Sequence, residues 1–388
     1  PLHELRTNPA TNSKDANMDM QDLRIAVIGS GYAGASTAKA LSNLGATVAV
    51  YEQAKELKEV GAGIGLRPSS LDQFRRWGIL DAIERVPSPS ESFEILTATG
   101  EPIVEEIWPE VDTYGLTTRF VHRGDFLDAL VGVLPEGMVH TGHRLERIVD
   151  NGDSATAHFA NGAEVTADLI IGADGIRSQV RHQLFSEKPP VFAGEHAYRA
   201  VIDVADTHGL PWDDKLRMYL GRGTKVYFLP LRHRNQVSYD VTALDPDPTP
   251  NPVATKEKLL ATVEGFDERI VATTRDLDME LVNIRAVYDI DPIDTWHSDA
   301  VTLVGDAAHA MCHHQGQGAN SAILDAGALA DCLAEAGSVA EALARYQSIR
   351  KPMTDELQRL SRQGWSDDEI NTVFPGQKPG EIGSTVGA

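Results

Sequence analysis

Six residues, Gly29-Ser30-Gly31-Tyr32-Ala33-Gly34, constrain this chain more than any other feature. They follow the apolar run Arg24–Ile28, which reads as a strand, and open a helical pattern over about residues 33–44. A second strand pattern, Thr47–Tyr51, completes a β-α-β unit with short joints. In such a G-x-G-x-x-G turn the first glycine bends the chain, the second lets the backbone approach a pyrophosphate, and the third packs helix on strand. Unpaired N–H groups at the helix start attract the phosphate charge. Glu52 stands at the end of the second strand, where a carboxylate accepts hydrogen bonds from two ribose hydroxyls and repels a 2′-phosphate. Gly29, Gly31, Gly34 and Glu52 therefore specify a site for an adenine dinucleotide.

Two distal segments choose between dinucleotides. Ile170-Ile171-Gly172-Ala173-Asp174-Gly175-Ile176-Arg177-Ser178 follows one strand pattern. Val304-Gly305-Asp306-Ala307-Ala308-His309 follows another and leads into Gly316-Gln317-Gly318-Ala319-Asn320 at the start of a helix. A carboxylate after a strand, joined to a glycine-rich helix start, can hold a polyol and the phosphates of a second nucleotide half. FAD, with its ribityl chain, has that shape.

The remaining signals interleave. Asn151-Gly152 and Asn161-Gly162 mark hairpins between alternating apolar stretches. Residues 195–241 are rich in β-branched and aromatic types and read as antiparallel sheet. Helical patterns cover residues 318–334 and about 339–361. The expected fold is α/β: a Rossmann-like FAD-binding domain interleaved with a mostly antiparallel substrate sheet, plus C-terminal helices. Residues 24–85, 110–180 and 285–360 are assigned to the FAD-binding domain, and 86–109 and 181–284 to the substrate domain. Residues 1–21 read as a disordered arm or an appended remnant, and 364–388 as a loosely attached tail.

Composition excludes several classes. Lys and Arg number 35 against 57 Asp and Glu, and the net charge of -22 repels nucleic-acid phosphates and anionic lipid. No apolar run is long enough to cross a membrane. Two cysteines, Cys312 and Cys332, form no metal-ligand pattern and fit a reducing, cytoplasmic setting. No metal is expected, and the chain reads as a monomer or homodimer. The same acidity means that a site for an anionic substrate needs its own local positive charge.

On these motifs the chain resembles the group A flavin-dependent aromatic hydroxylases of the p-hydroxybenzoate hydroxylase type. It is most similar to their salicylate hydroxylase and 6-hydroxynicotinate 3-monooxygenase branch. The glycine turn, the Asp-Gly motif within residues 172–181 and Gly305-Asp306 occur in the family's order. Val60-Gly61-Ala62-Gly63-Ile64 and His122-Arg123-Gly124-Asp125 join them, so the resemblance spans roughly residues 24–350. It implies that Glu52 binds the adenosine ribose, Leu145 touches adenine through its backbone, and Arg123 lies near the FAD pyrophosphate. It further implies that Asp306 binds the ribityl chain, that Gly63, Gly316, Gly318, Ala319 and Asn320 approach the flavin, and that Asp174 serves both FAD and the nicotinamide cofactor. The implied activity is hydroxylation of a small phenolic, hydroxypyridine-like or quinoline-like molecule: NADH or NADPH reduces FAD, and O2 is captured as a flavin C4a-hydroperoxide.

The substrate side is less determined. A base within reach of a ring hydroxyl is expected, because phenolate is far more reactive than phenol toward electrophilic oxygen. Where the family usually has a proline four residues after the Gly-Asp motif's histidine, this chain has His313, followed by His314. His313 or His314 reads either as a tolerated loop substitution or as a group that bonds the reacting oxygen or takes the substrate's proton. Gly65 replaces a histidine of the 6-hydroxynicotinate enzymes. Arg67 reads as a solvated loop residue or as the local positive charge. His196 and Tyr198 share a strand face, with packing or ligand contact both open, and Tyr227 is the favoured sheet tyrosine. Competing readings are another flavoprotein reductase or dehydrogenase, and a dinucleotide-sensing protein without turnover. A flavin halogenase is disfavoured, since no two tryptophans stand two apart.

Overall fold

The computed structural model describes residues 18–57, 61–85, 88–90, 92–107, 111–221, 223–313 and 316–362. The first strand, Arg24–Ile28, is buried on both faces from Ile25 onward, as a central parallel strand requires. It pairs in parallel with Thr47–Tyr51 on one side and Leu169–Gly172 on the other. Val301–Leu303 and Val139–His140 complete a five-stranded parallel sheet in the order 301–303, 169–172, 24–28, 47–51, 139–140. Three neighbouring strands thus release their chains at one sheet edge, at Gly29, Ala173 and Val304. Segments remote in sequence meet there because ligands of open parallel sheets bind beyond the strands' carboxyl ends.

The second large sheet has seven strands in the order 283–289, 191–203, 236–244, 224–231, 215–221, 92–97, 102–107. Its pairings are antiparallel except between 215–221 and 92–97. Strand alternation sorts its residues into two faces. Tyr198, Tyr219, Phe228, Tyr239 and Val241 share one core with Leu259 and Ile270 of the helices Lys256–Thr262 and Glu268–Asp276. The opposite face meets the cofactor-binding half: a Cβ on Gly63 would lie 2.6 Å from Leu229 and 2.9 Å from Ser238.

The expected hairpins form. Gly152 and Gly162 adopt φ of 95° and 86° between the strands Leu145–Asp150, Ala155–Phe159 and Glu164–Ala167. The C-terminal helices run Gly318–Glu335 and Val339–Arg362. One boundary moves. Asn283–Asp289 belongs to the seven-stranded sheet, so the parting expected at residue 285 falls inside a strand and shifts past Asp289. Nearly all of the N-terminal arm, the tail 364–388, Val60 and His314 lie outside the described residues.

Candidate active site

Each glycine of the turn has its own physical reason. Gly29 has φ of 101° and donates its N–H to the Tyr51 carbonyl at 2.8 Å. A Cβ on Gly34 would stand 1.9 Å from the Gly29 carbonyl oxygen, so only glycine lets the helix Tyr32–Ser42 sit this close. Gly31 has nothing within 4 Å of where a Cβ would be. The protein itself does not need glycine there, whereas a ligand's phosphates approaching the backbone would.

Glu52 is committed to the loop. Its carboxylate accepts from the Ser30 N–H and hydroxyl, both at 2.9 Å, and from the Ala54 N–H at 2.8 Å. With about four acceptor sites on a carboxylate, it retains capacity for a ribose hydroxyl while holding the glycine turn in shape. His143 donates its N–H to the Glu52 carbonyl at 2.8 Å, which brings the start of the 145–150 strand, and Leu145, to the same end of the cleft. Arg123 donates from Nε to the Tyr32 hydroxyl at 3.1 Å, and its guanidinium lies over the Tyr32 ring.

Asp174 braces the chain that follows it. It accepts from the Ser178 hydroxyl, the Gln179 N–H at 2.7 Å and the Val180 N–H at 3.2 Å, and so caps the helix Gln179–Leu184. Burial pushes its carboxyl up against those bonds. Like Glu52, it accepts three bonds and keeps acceptor capacity for a further donor.

Asp306 opens into the cleft, and Gly318 stands beside it, its would-be Cβ 3.8 Å from Oδ1. The surrounding protein pushes the Asp306 carboxyl up, against the attraction of His309, Arg123 and Arg181. The helix Gly318–Glu335 has no side-chain cap at Gln317, so the first-turn N–H groups of Gly318, Ala319 and Asn320 point at the cleft unclaimed by a cap. Gly316, with φ of 62°, makes the bend before it. The Asn320 side chain holds two loops together: Oδ1 accepts from the Arg67 N–H at 2.8 Å and the Ser70 hydroxyl at 2.7 Å, while Nδ2 donates to the carbonyls of Gly65 at 2.9 Å and Gly316 at 3.2 Å. It aligns these two loops largely through their backbones.

The cleft-side face of the seven-stranded sheet carries Arg199, Asp240, Thr242, Lys225 and Tyr227, which stand opposite one another in register. Arg199 pairs with Asp240 at 2.7 Å, and Lys225 Nζ lies 3.5 Å from Glu195. His313 reaches this face: its Nε2 is 3.0 Å from the Thr242 hydroxyl and its ring centroid 6.1 Å from that of Tyr227. The Tyr227 hydroxyl is buried and makes no hydrogen bond among the described residues. Burial pushes its pKa well up, so it stays a donor. Arg67 caps the helix Pro68–Arg76 by position, at the mouth of the same loops.

His196 goes the other way. It is fully buried on the face that the two covering helices occupy, with Nδ1 3.1 Å from the Asp245 carboxylate and Nε2 2.7 Å from the Asp247 carbonyl. The ring is enclosed by the protein, with Nε2 bonded, and the structure keeps His196 and Tyr198 out of the cleft.

Sequence reasoning passed over two groups. Asp325, fully buried, bonds His309 at 2.6 Å, Arg350 at 2.8 Å and the Gly305 N–H at 2.9 Å. No local pattern signals that pairing. Ser238, Asp240 and Thr242, by contrast, alternate with Val237, Tyr239 and Val241, a polar edge readable from the period of two.

The carboxyl-edge position, a glycine turn with one open member, and a carboxylate beside an uncapped helix start define a dinucleotide-binding flavoprotein whose residues fit FAD. A model of the FAD binding domain family matches residues 22–361. The 6-hydroxynicotinate 3-monooxygenase of Pseudomonas fluorescens is 33% identical over 360 residues, covering 88% of this chain and 91% of that one. A salicylate hydroxylase of Pseudomonas putida is 30% identical over 389 residues, covering 90% and 86%. Among solved structures, Klebsiella pneumoniae HpxO complexed with FAD and uric acid superposes with a TM-score of 0.81 at 23% identity, over 93% of this chain and 92% of that one. The chain belongs to the FAD binding domain family, within its FAD-dependent aromatic monooxygenases.

Proposed function

We propose that this monooxygenase acts on a small planar ring that bears its own ring hydroxyl, a phenol or a hydroxylated N-heteroaromatic, held between the cleft-side sheet face and the loops joined by Asn320. Bound FAD supplies reduction by NADH or NADPH and the activation of O2. The chain's own residues bind the ring, keep water out and handle the hydroxyl proton. The single observation that carries this is Tyr227: a buried hydroxyl that bonds nothing among the described residues, on the same face as His313. Leaving such a donor unmade costs about 1–3 kcal/mol, and a ring oxygen would satisfy it. Beside it, Phe120, Leu229, Val201 and Leu216 form an apolar stretch. One polar edge next to one apolar plane suits a hydroxylated ring.

Charge refines the reading. Arg199 and Lys225 are each matched by a carboxylate on that face, so they add no net positive charge. The substrates named for the two relatives, 6-hydroxynicotinate and salicylate, are hydroxylated rings.

Oxygen uptake by the FAD-loaded protein with NADH or NADPH tests this, against phenols, hydroxybenzoates and hydroxypyridines. At least one ring should stimulate uptake and yield a product heavier by one oxygen. For that ring Tyr227→Phe should raise KM roughly fivefold, the equivalent of a hydrogen bond of about 1 kcal/mol. Stimulation only by rings without a hydroxyl, or an unchanged KM, would remove the assignment.

A further inference from the structure

The helix Val339–Arg362 changes character along its length. Its first half buries Ala342, Leu343 and Tyr346, and its second half buries Arg350, Thr354, Gln358 and Ser361. From Leu343 onward these positions recur every three or four residues, so they form one continuous face. Apolar side chains would dock such a face without the desolvation cost that buried polar groups carry. The polar half instead grips backbone at particular points. Gln358 Nε2 donates to the carbonyls of Ile290 at 2.9 Å and Ala310 at 3.1 Å, and Ser361 Oγ accepts from the Cys312 N–H at 3.3 Å. Arg362 holds Asp289 through two of its nitrogens and Asp291, at 2.9 Å, through the third. Gln358 Oε1 is buried and bonds nothing among the described residues. Its amide thus bridges two carbonyls while an acceptor goes unmet, a destabilising arrangement that packing alone does not call for.

The two segments joined in this way leave different halves of the molecule. Residues 289–291 run off the strand Asn283–Asp289 at the edge of the seven-stranded sheet. Residues 310–312 run from the short helix Asp306–His309 toward Gly316 and the helix start at Gly318. They touch where the Ile290 N–H donates to the Ala310 carbonyl at 3.2 Å and where the Cys312 thiol lies 3.6 Å from Asp289. We propose that Gln358, Ser361 and Arg362 are positioning residues that clamp residues 310–312 to the substrate sheet, and so fix Asp306 and the Gly318 helix start relative to the ring that the sheet holds. The assignment goes beyond the hydroxylated-ring reading and holds whichever ring is bound. In the coupled reaction NADH or NADPH, one proton and O2 put one oxygen on the ring and release the other as water. With the ring out of place, the same two electrons and two protons leave on O2 as hydrogen peroxide. Relative placement decides this split, so a slackened clamp yields peroxide at the expense of product.

Holoenzyme variants test the clamp. Gln358→Met keeps the side chain's length and loses the amide; Ser361→Ala loses the acceptor for Cys312, and Ser361→Thr keeps it. Gln358→Met and Ser361→Ala should each raise the FAD Kd about fivefold in a fluorescence titration. With a ring that stimulates oxygen uptake, they should lower the product formed per NADH or NADPH about twofold, the balance appearing as hydrogen peroxide. Ser361→Thr should match wild type in both readouts. Leu343→Val, in the apolar half of the same helix, should lower Tm and leave both readouts unchanged, which separates positioning from stability. Unchanged FAD affinity and coupling in Gln358→Met and Ser361→Ala, or the same changes in Leu343→Val, would overturn the clamp. Altered FAD affinity with unaltered coupling would overturn its part in placing the ring. If no ring stimulates uptake, the hydroxylated-ring reading fails by itself, and FAD affinity still decides the clamp.

Discussion

At the scale of single residues, the glycine turn shows how one motif combines unrelated demands. Gly34 is glycine for the fold, because its missing side chain lets a carbonyl approach within what would be 1.9 Å of a Cβ. Gly31 is not required to be glycine by the protein around it, where the space is empty, and we propose that a ligand's phosphates require it. The two substitutions to alanine should therefore separate. Gly34→Ala should destabilise the FAD-free protein by about 1–3 kcal/mol, as overpacking does, seen as a lower Tm. Gly31→Ala should leave that Tm unchanged and raise the FAD dissociation constant about tenfold, or 1.4 kcal/mol, in a fluorescence titration. Equal behaviour of the two would mean that the backbone at residue 31 is not where the pyrophosphate approaches.

At the scale of elements, Asn320 joins the helix Gly318–Glu335 to the strand Gly63–Leu66 and the helix Pro68–Arg76 through four hydrogen bonds. Asn320→Ala strands the Arg67 N–H and the Gly65 carbonyl, at a cost of about 1–3 kcal/mol for a buried polar group. Urea unfolding should show that loss. Asn320→Asp keeps the acceptor for Arg67 and Ser70 and lacks the amide donor, so its midpoint should fall between alanine and wild type. A variant as stable as wild type would show that the loops are held by other contacts.

Across the whole molecule, Asp325 links the turn after the strand Val301–Leu303 to both C-terminal helices through Gly305, His309 and Arg350. Burial pushes its carboxyl up, but His309 and Arg350 outweigh that and hold it below the usual carboxylate range. A depressed pKa means that the folded state binds the proton less readily than the unfolded chain. The stabilisation is thus complete above the unfolded value of about 3.9 and is lost as pH falls through the lower folded value. Asp325→Asn should cost about 3–5 kcal/mol at neutral pH, because Arg350 stays buried without its partner, and should flatten the acid limb of stability. Thermal unfolding between about pH 3 and pH 7 measures both; an unaltered acid limb would assign it to other carboxylates. Asp306 has the opposite sign: its raised carboxyl opposes stability at neutral pH, which is consistent with a group kept for its cleft position.

The sequence by itself determined what depends on near neighbours. Arg24–Ile28 and Thr47–Tyr51 are strands at the residues their patterns mark, both hairpins turn at their Asn-Gly pairs, and the last two helices match within about a residue. Period-two alternation also placed His196 and Tyr198 on one face together. It could not say which face meets the cofactor. That was decided by what covers the sheet: the helices Lys256–Thr262 and Glu268–Asp276 take the side with His196, and the glycine loops take the side with Arg199, Asp240, Thr242 and Tyr227. Asp325 bonding His309 and Arg350 is likewise a tertiary outcome. A carboxylate's partners are set by which backbone and side-chain donors the folded chain brings within 3 Å, and spacing along the chain does not encode them.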